Sequence, residues 1–85
     1  MVSSWKVLIS REAKKRLEKI PQPDRRRILT AIDALHTGPL GDIKRLKGRN
    51  EWRLRVGDRR VLLEIDETDF AIRILSIGSR GDVYK

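Results

Sequence analysis

Arg53, Arg55 and Arg60 are the residues of this 85-residue chain whose type and spacing first suggest chemistry. They lie in the stretch Glu51 to Ile65, EWRLRVGDRRVLLEI. Planar guanidinium forks match the oxygens of phosphate and carboxylate groups, so three of them on one surface would make a polyanion site. Whether they share a surface depends on the elements that carry them.

Trp52, Leu54 and Val56 alternate with Arg53 and Arg55, the period of a half-buried strand. Gly57-Asp58 follows, with glycine at the first central position favoured by a type II′ hairpin turn. A second alternating run carries Val61, Leu63 and Ile65. A two-residue loop sets the register: Val56 faces Arg59, Arg55 faces Arg60 and Leu54 faces Val61. Arg53, Arg55 and Arg60 then emerge on one face. Like charges directly opposite each other destabilise a strand pair. Two readings are open: arginines splayed into solvent, or a site for a polyanion.

Composition narrows the partners. One small domain is expected over residues 1–85, with a thin core. Without cysteine there is no disulfide framework, thiol nucleophile or sulfur-bound metal, and the single histidine, His36, makes a histidine-based metal site implausible. No apolar run approaches the roughly 18 residues of a membrane span, and no signal-peptide pattern opens the chain, so a soluble cytoplasmic protein is expected. A net charge of +8 and a pI near 10.6 call for an acidic partner, nucleic acid first and an acidic protein segment second. Aromatic content of 5% provides no extended platform for stacking bases, so backbone and phosphate contacts should dominate.

The remaining elements read in chain order. Trp5 to Ile9 is rich in strand-forming residues. Ser10 is a candidate N-cap, and Ala13, Leu17 and Ile20 mark one face of a helix whose other face carries Arg11, Lys14, Lys15, Arg16 and Lys19 as solvated charges. Pro21-Gln22-Pro23 ends it. A second helix begins near Asp24, with Ile28, Leu29, Ile32 and Leu35 as its apolar stripe, and stops at Thr37-Gly38-Pro39. The short break predicts an αα-hairpin. Arg25, Arg26 and Arg27 stand at the end where the helix dipole disfavours cations and read mainly as solubilising charges. His36, in the last turn, reads as structural. Leu40 to Asn50 reads as a loop, with Lys44, Arg45, Lys47 and Arg49 around the apolar anchor Leu46. Phe70 to Ile77 is so apolar that a central strand buried on both faces is expected. Gly78 and Gly81 would let the tail return Arg80 and Tyr84 towards the sheet. The whole is an α+β fold in the order β-α-α-β-β-β, a helical hairpin packed on one face of an antiparallel sheet.

The run WRLRVGDRRVLLEID, the apolar strand after it, and the ending IGSRGDVYK resemble the RelE/ParE superfamily of type II toxin–antitoxin toxins, most closely its RelE branch. The resemblance covers nearly the whole chain. It implies a toxin that cuts mRNA in the ribosomal A site, a metal-independent endoribonuclease needing no cofactor. It places catalytic groups at Arg60, Arg80 and Tyr84, and RNA-binding groups at Arg53, Arg55, Lys44, Arg45 and Lys47. Arg60 and Arg80 would meet the charge that gathers on the phosphoryl oxygens. Tyr84 would orient the 2′-hydroxyl, stack on a base, or act as general base. The implied partners are a cognate antitoxin with an acidic, partly disordered segment, the ribosome and mRNA, and operator DNA through the antitoxin complex. Two alternatives remain: a ParE-like poison of DNA gyrase, and a degenerate toxin that only binds its antitoxin.

Overall fold

Ser10 sets where the first helix begins and ties it to the sheet. In the computed structural model, which describes residues 4–39, 41–46 and 51–79, the chain runs β1 (Lys6–Ile9), α1 (Arg11–Lys19), α2 (Asp24–Ala34), a 3-10 turn (Leu35–Thr37), β2 (Ile43–Arg45), β3 (Glu51–Val56), β4 (Arg59–Asp66) and β5 (Ala71–Ser79). The Ser10 hydroxyl accepts from the Ala13 amide at 3.0 Å, satisfying a donor that α1 would otherwise leave open. The same hydroxyl donates to the Leu75 carbonyl at 2.8 Å, and the Ser10 amide donates to the Ile74 carbonyl at 2.9 Å. Pro23 offers α2 no capping side chain; instead Gln22 Oε1 accepts from the Arg26 amide at 3.0 Å.

The apolar stripes bury as the periodicity requires. Ala13, Leu17 and Ile20 close over the sheet from α1, and Ile28 and Leu35 from the second helical segment. They meet Leu54, Val61, Leu63, Ile72, Ile74 and Ile77 of the strands in one core. Each fully buried leucine or isoleucine contributes about 1.5–3 kcal/mol. Leu29 departs from the expected stripe: it is 48% exposed, because one step along a helix turns it about 100° away from Ile28. His36 ties the 3-10 turn to the residue before β1. Its backbone carbonyl accepts from the Trp5 amide at 2.9 Å, and its ring Nδ1 lies 3.3 Å from the Trp5 carbonyl.

The helical hairpin lies on one face of the sheet, as expected, but the sheet has five strands in the order β1-β5-β4-β3-β2 and is mixed. β1 runs parallel to β5, while the other neighbours are antiparallel. The expected loop between residues 40 and 50 contains β2, which pairs with β3. Three residues are too few for alternation to announce a strand; the pairing groups of β3 supply the order. β5 lies inside the sheet, yet β4 is the central strand. Only the helix-side face of β5 is fully buried, through Ile72, Ile74 and Ile77, while Arg73 on the other face is exposed. The apolar run misleads because a bulge shifts the register between Leu62 and Leu63, leaving Leu75 as the extra residue and returning Ile77 to the core.

Candidate functional site

The β3–β4 hairpin forms in the register read from sequence: Val56 pairs with Arg59, Arg55 with Arg60 and Leu54 with Val61. Gly57 takes φ +60°, whereas Asp58 keeps a negative φ, the pattern of a type II′ turn. Leu54, Val61 and Leu63 point into the core. Alternation therefore sends Arg53, Arg55 and Arg60 to the face opposite the helices. Pairing of Lys44 with Arg53 brings Lys44 to the same face from the neighbouring strand. Four of the expected residues share one open surface.

Arg45 does not join them. It pairs with Trp52 on the helix side of the sheet, its guanidinium carbon 5.9 Å from the Trp52 ring centroid, a cation–π contact. Reading residues 40–50 as a loop hid this, since a loop has no alternating sides. Lys47, Arg80 and Tyr84 lie outside the described residues.

Asp42 contacts a candidate site residue, a contact that sequence reasoning missed. Its Oδ2 accepts from Arg55 Nε at 3.1 Å, and its backbone carbonyl accepts from the Arg55 amide at 3.0 Å. Both groups remain about half exposed, at 58% and 48%, so the pair adds little stability. Nothing in Gly41-Asp42 signals a tie to a residue thirteen positions away. Arg59 leaves from the opposite face, where its Nε donates to Asp24 Oδ2 at 3.3 Å and anchors the hairpin to the start of α2. The Arg27 guanidinium lies 3.8 Å from the other oxygen of Asp24.

The open face is electrically divided along the strands. Cations gather towards the Gly57–Asp58 turn, where Arg55, Gly57, Asp58 and Arg60 line a cleft of about 220 Å³. At the far end Glu51 pairs with Glu64, and Arg73 lies 3.8 Å from Glu64. A larger cleft of about 510 Å³ is lined by residues of mixed charge, with Arg45 and Arg73 against Glu64, Asp66 and Glu67. Its carboxylates outnumber its guanidinium groups, so it suits phosphate less well than the arginine end. The arginine end can hold a phosphodiester and offset charge developing on it. Among the described residues no group of histidine, cysteine and acidic side chains is arranged to hold a metal ion, and no helix is long and apolar enough to cross a membrane.

Known proteins share this architecture. The family model for the ParE toxin of the type II toxin-antitoxin system parDE matches residues 7–84. Among solved structures, a chain of the archaeal RelE–RelB complex from Pyrococcus horikoshii OT3 superposes with a TM-score of 0.82 and 30% identity, covering 94% of this chain and 99% of that one. A chain of the RelB–RelE antitoxin–toxin complex from Methanococcus jannaschii gives a TM-score of 0.74 at 27% identity, covering 91% and 94%. The intact RelBE complex of E. coli gives 0.73 at 15% identity, covering 89% and 96%, a likeness of fold alone. Comparison with curated protein sequences gave no match. With the family model spanning nearly the whole chain and a RelE-complex chain 30% identical over almost all of it, the chain belongs to the RelE/ParE superfamily of type II toxin–antitoxin toxins, on its RelE-like side.

Proposed function

We propose that this toxin is a ribosome-dependent endoribonuclease that cleaves mRNA in the ribosomal A site and so stops translation in the cytoplasm. The observation that carries the reading is the pairing of Arg55 with Arg60 on an open sheet face that also presents Arg53 and Lys44. Like charges facing each other across two strands cost stability, and a bound phosphodiester would offset that cost.

In the proposed step the ribose 2′-oxygen attacks the adjacent phosphorus as its proton leaves. The bond from phosphorus to the 5′-oxygen breaks, and that oxygen takes up a proton. A 2′,3′-cyclic phosphate and a 5′-hydroxyl result. Arg60 and Arg80 would face the charge on the phosphoryl oxygens, Arg53 and Arg55 would hold the flanking backbone, with Lys44 and Lys47 beside them, and Tyr84 would orient the 2′-hydroxyl or accept its proton. Arginine is a poor proton shuttle because its pKa exceeds about 12, so positioning by the ribosome supplies much of the catalysis. Charge stabilisation comes from guanidinium groups, with no metal or cofactor in the step. Arg45, stacked on Trp52, has no direct part.

The proposed partner in the resting state is a cognate antitoxin whose acidic, partly disordered segment folds over the cationic face; operator DNA would be met through that complex. The ParE family match favours a second reading, a poison of DNA gyrase. The two separate in vitro. Purified toxin is added to translating ribosomes, to the same mRNA without ribosomes, and to gyrase with relaxed plasmid. Cleavage only on ribosomes supports the first reading; inhibited supercoiling with intact mRNA replaces it with the second.

A further inference from the structure

We propose that Arg27 is a further phosphate-contacting residue, carrying a bound RNA strand from the open face over the hairpin tip onto the start of α2. This rests on the reading of the open face as an RNA site.

The tip makes the connection. Gly57 lines the cleft together with Arg55 and Arg60. Apart from its chain neighbours Val56 and Asp58, the described group nearest to where a Cβ on Gly57 would lie is Arg27 Nη1, at 3.9 Å. Gly57 thus lies beside both the cleft of the paired arginines and a third guanidinium. Asp58, the other tip residue, would repel phosphate, so the strand crosses on the Gly57 side.

Arg27 keeps its charge available. Its side chain is 64% exposed, and its contact with Asp24, at 3.8 Å, is a loose one. Asp24 meanwhile accepts from Arg59 Nε at 3.3 Å, so one carboxylate serves two guanidinium groups. The first turn of a helix is also an unfavourable place for a cation. The loose, exposed pair with Asp24 holds Arg27 only weakly, and a phosphate would hold it better. Arg26, its exposed neighbour, is not within 4 Å of that space and serves as the control.

The test is fluorescence anisotropy with uncleavable 2′-O-methyl RNAs of about three and about eight nucleotides, the short one spanning the open face only. Full-length wild-type toxin is compared with Arg27→Ala, Arg27→Lys, Arg26→Ala and the Arg55/Arg60 double alanine variant, each checked for an unchanged thermal midpoint. Arg27→Ala is expected to weaken the longer RNA about three- to tenfold and lower its salt slope by about 0.7, with the short RNA unaffected and Arg27→Lys restoring the slope. Equal losses on both lengths, or losses no larger than those of Arg26→Ala, would overturn the proposal. So would dependence on Arg27 of poly-glutamate binding but not of RNA binding, which would assign it to an acidic protein. Unchanged RNA affinity in the Arg55/Arg60 variant would instead overturn the reading of the face as an RNA site, and this proposal with it.

Discussion

Arg55 and Arg60 are Cα partners across the β3–β4 hairpin, and both side chains leave the sheet on the face that the helices do not cover. Like charges so placed cost roughly 0.2–1 kcal/mol relative to a neutral pair. Asp42 offsets part of this at Arg55, by taking its Nε. The surface therefore stays cationic but ordered, a sheet-mounted arginine held at two points by a neighbouring residue.

Asp42→Asn should raise the affinity of the isolated toxin for short RNA. An exposed ion pair is worth about 0–1 kcal/mol, so removing the competing carboxylate should strengthen binding by up to about fivefold. Anisotropy titrations at low and physiological salt would check this, with the gain shrinking as salt rises. Weaker binding of the variant at low salt would show that Asp42 acts on Arg55 mainly by fixing its geometry.

Ser10→Ala should lower stability by about 2 kcal/mol, since the change removes both an N-cap bond and a bond to the bulge carbonyl of Leu75. Ser10→Thr, which keeps the hydroxyl, should recover most of it. Urea unfolding of the two variants against wild type provides the comparison. Equal losses would mean that the hydroxyl is not what joins α1 to β5.

Phe70 adopts φ +51°, a left-handed conformation costly for a residue with a side chain, and packs edge-on against Trp5 with ring centroids 5.3 Å apart. Glycine would relieve about 1–2 kcal/mol of backbone strain and lose about 0.5–1.5 kcal/mol of ring contact. Phe70→Gly should therefore unfold within about 1 kcal/mol of wild type, while Phe70→Val, keeping the strain without the ring, should be clearly less stable. Thermal melts distinguish them.

The contrast between these sites shows what the amino-acid order can disclose. The hairpin was legible because a two-residue loop beginning with Gly57 fixes every pairing between β3 and β4, and with it the shared face of Arg53, Arg55 and Arg60. The helical stripes were legible because Ala13, Leu17, Ile20, Ile28 and Leu35 repeat at the helical period. The contacts that escaped depend on distant partners. Ser10 and Leu75 are 65 positions apart, and nothing local to either announces the bulge or the parallel pairing of β1 with β5. Asp42 gains meaning only once β2 is laid against β3. The side that Arg45 takes is hidden for the same reason, since a strand's sides exist only once the strand is formed.

The most direct test of the arginine face is made in cells. Wild-type toxin and the Arg60/Arg80 double alanine variant are expressed in bacteria without antitoxin, and mRNA 5′ ends are mapped by primer extension. Loss of one donor to a developing oxyanion typically costs about 10²–10³ in rate, so the double variant should be non-toxic while still folding and binding antitoxin. New ends inside translated frames, present with wild type and absent with the variant, are the predicted result. Growth arrest that persists in the variant with the same ends would contradict the assignment of the site, and arrest without new ends would contradict the nuclease itself.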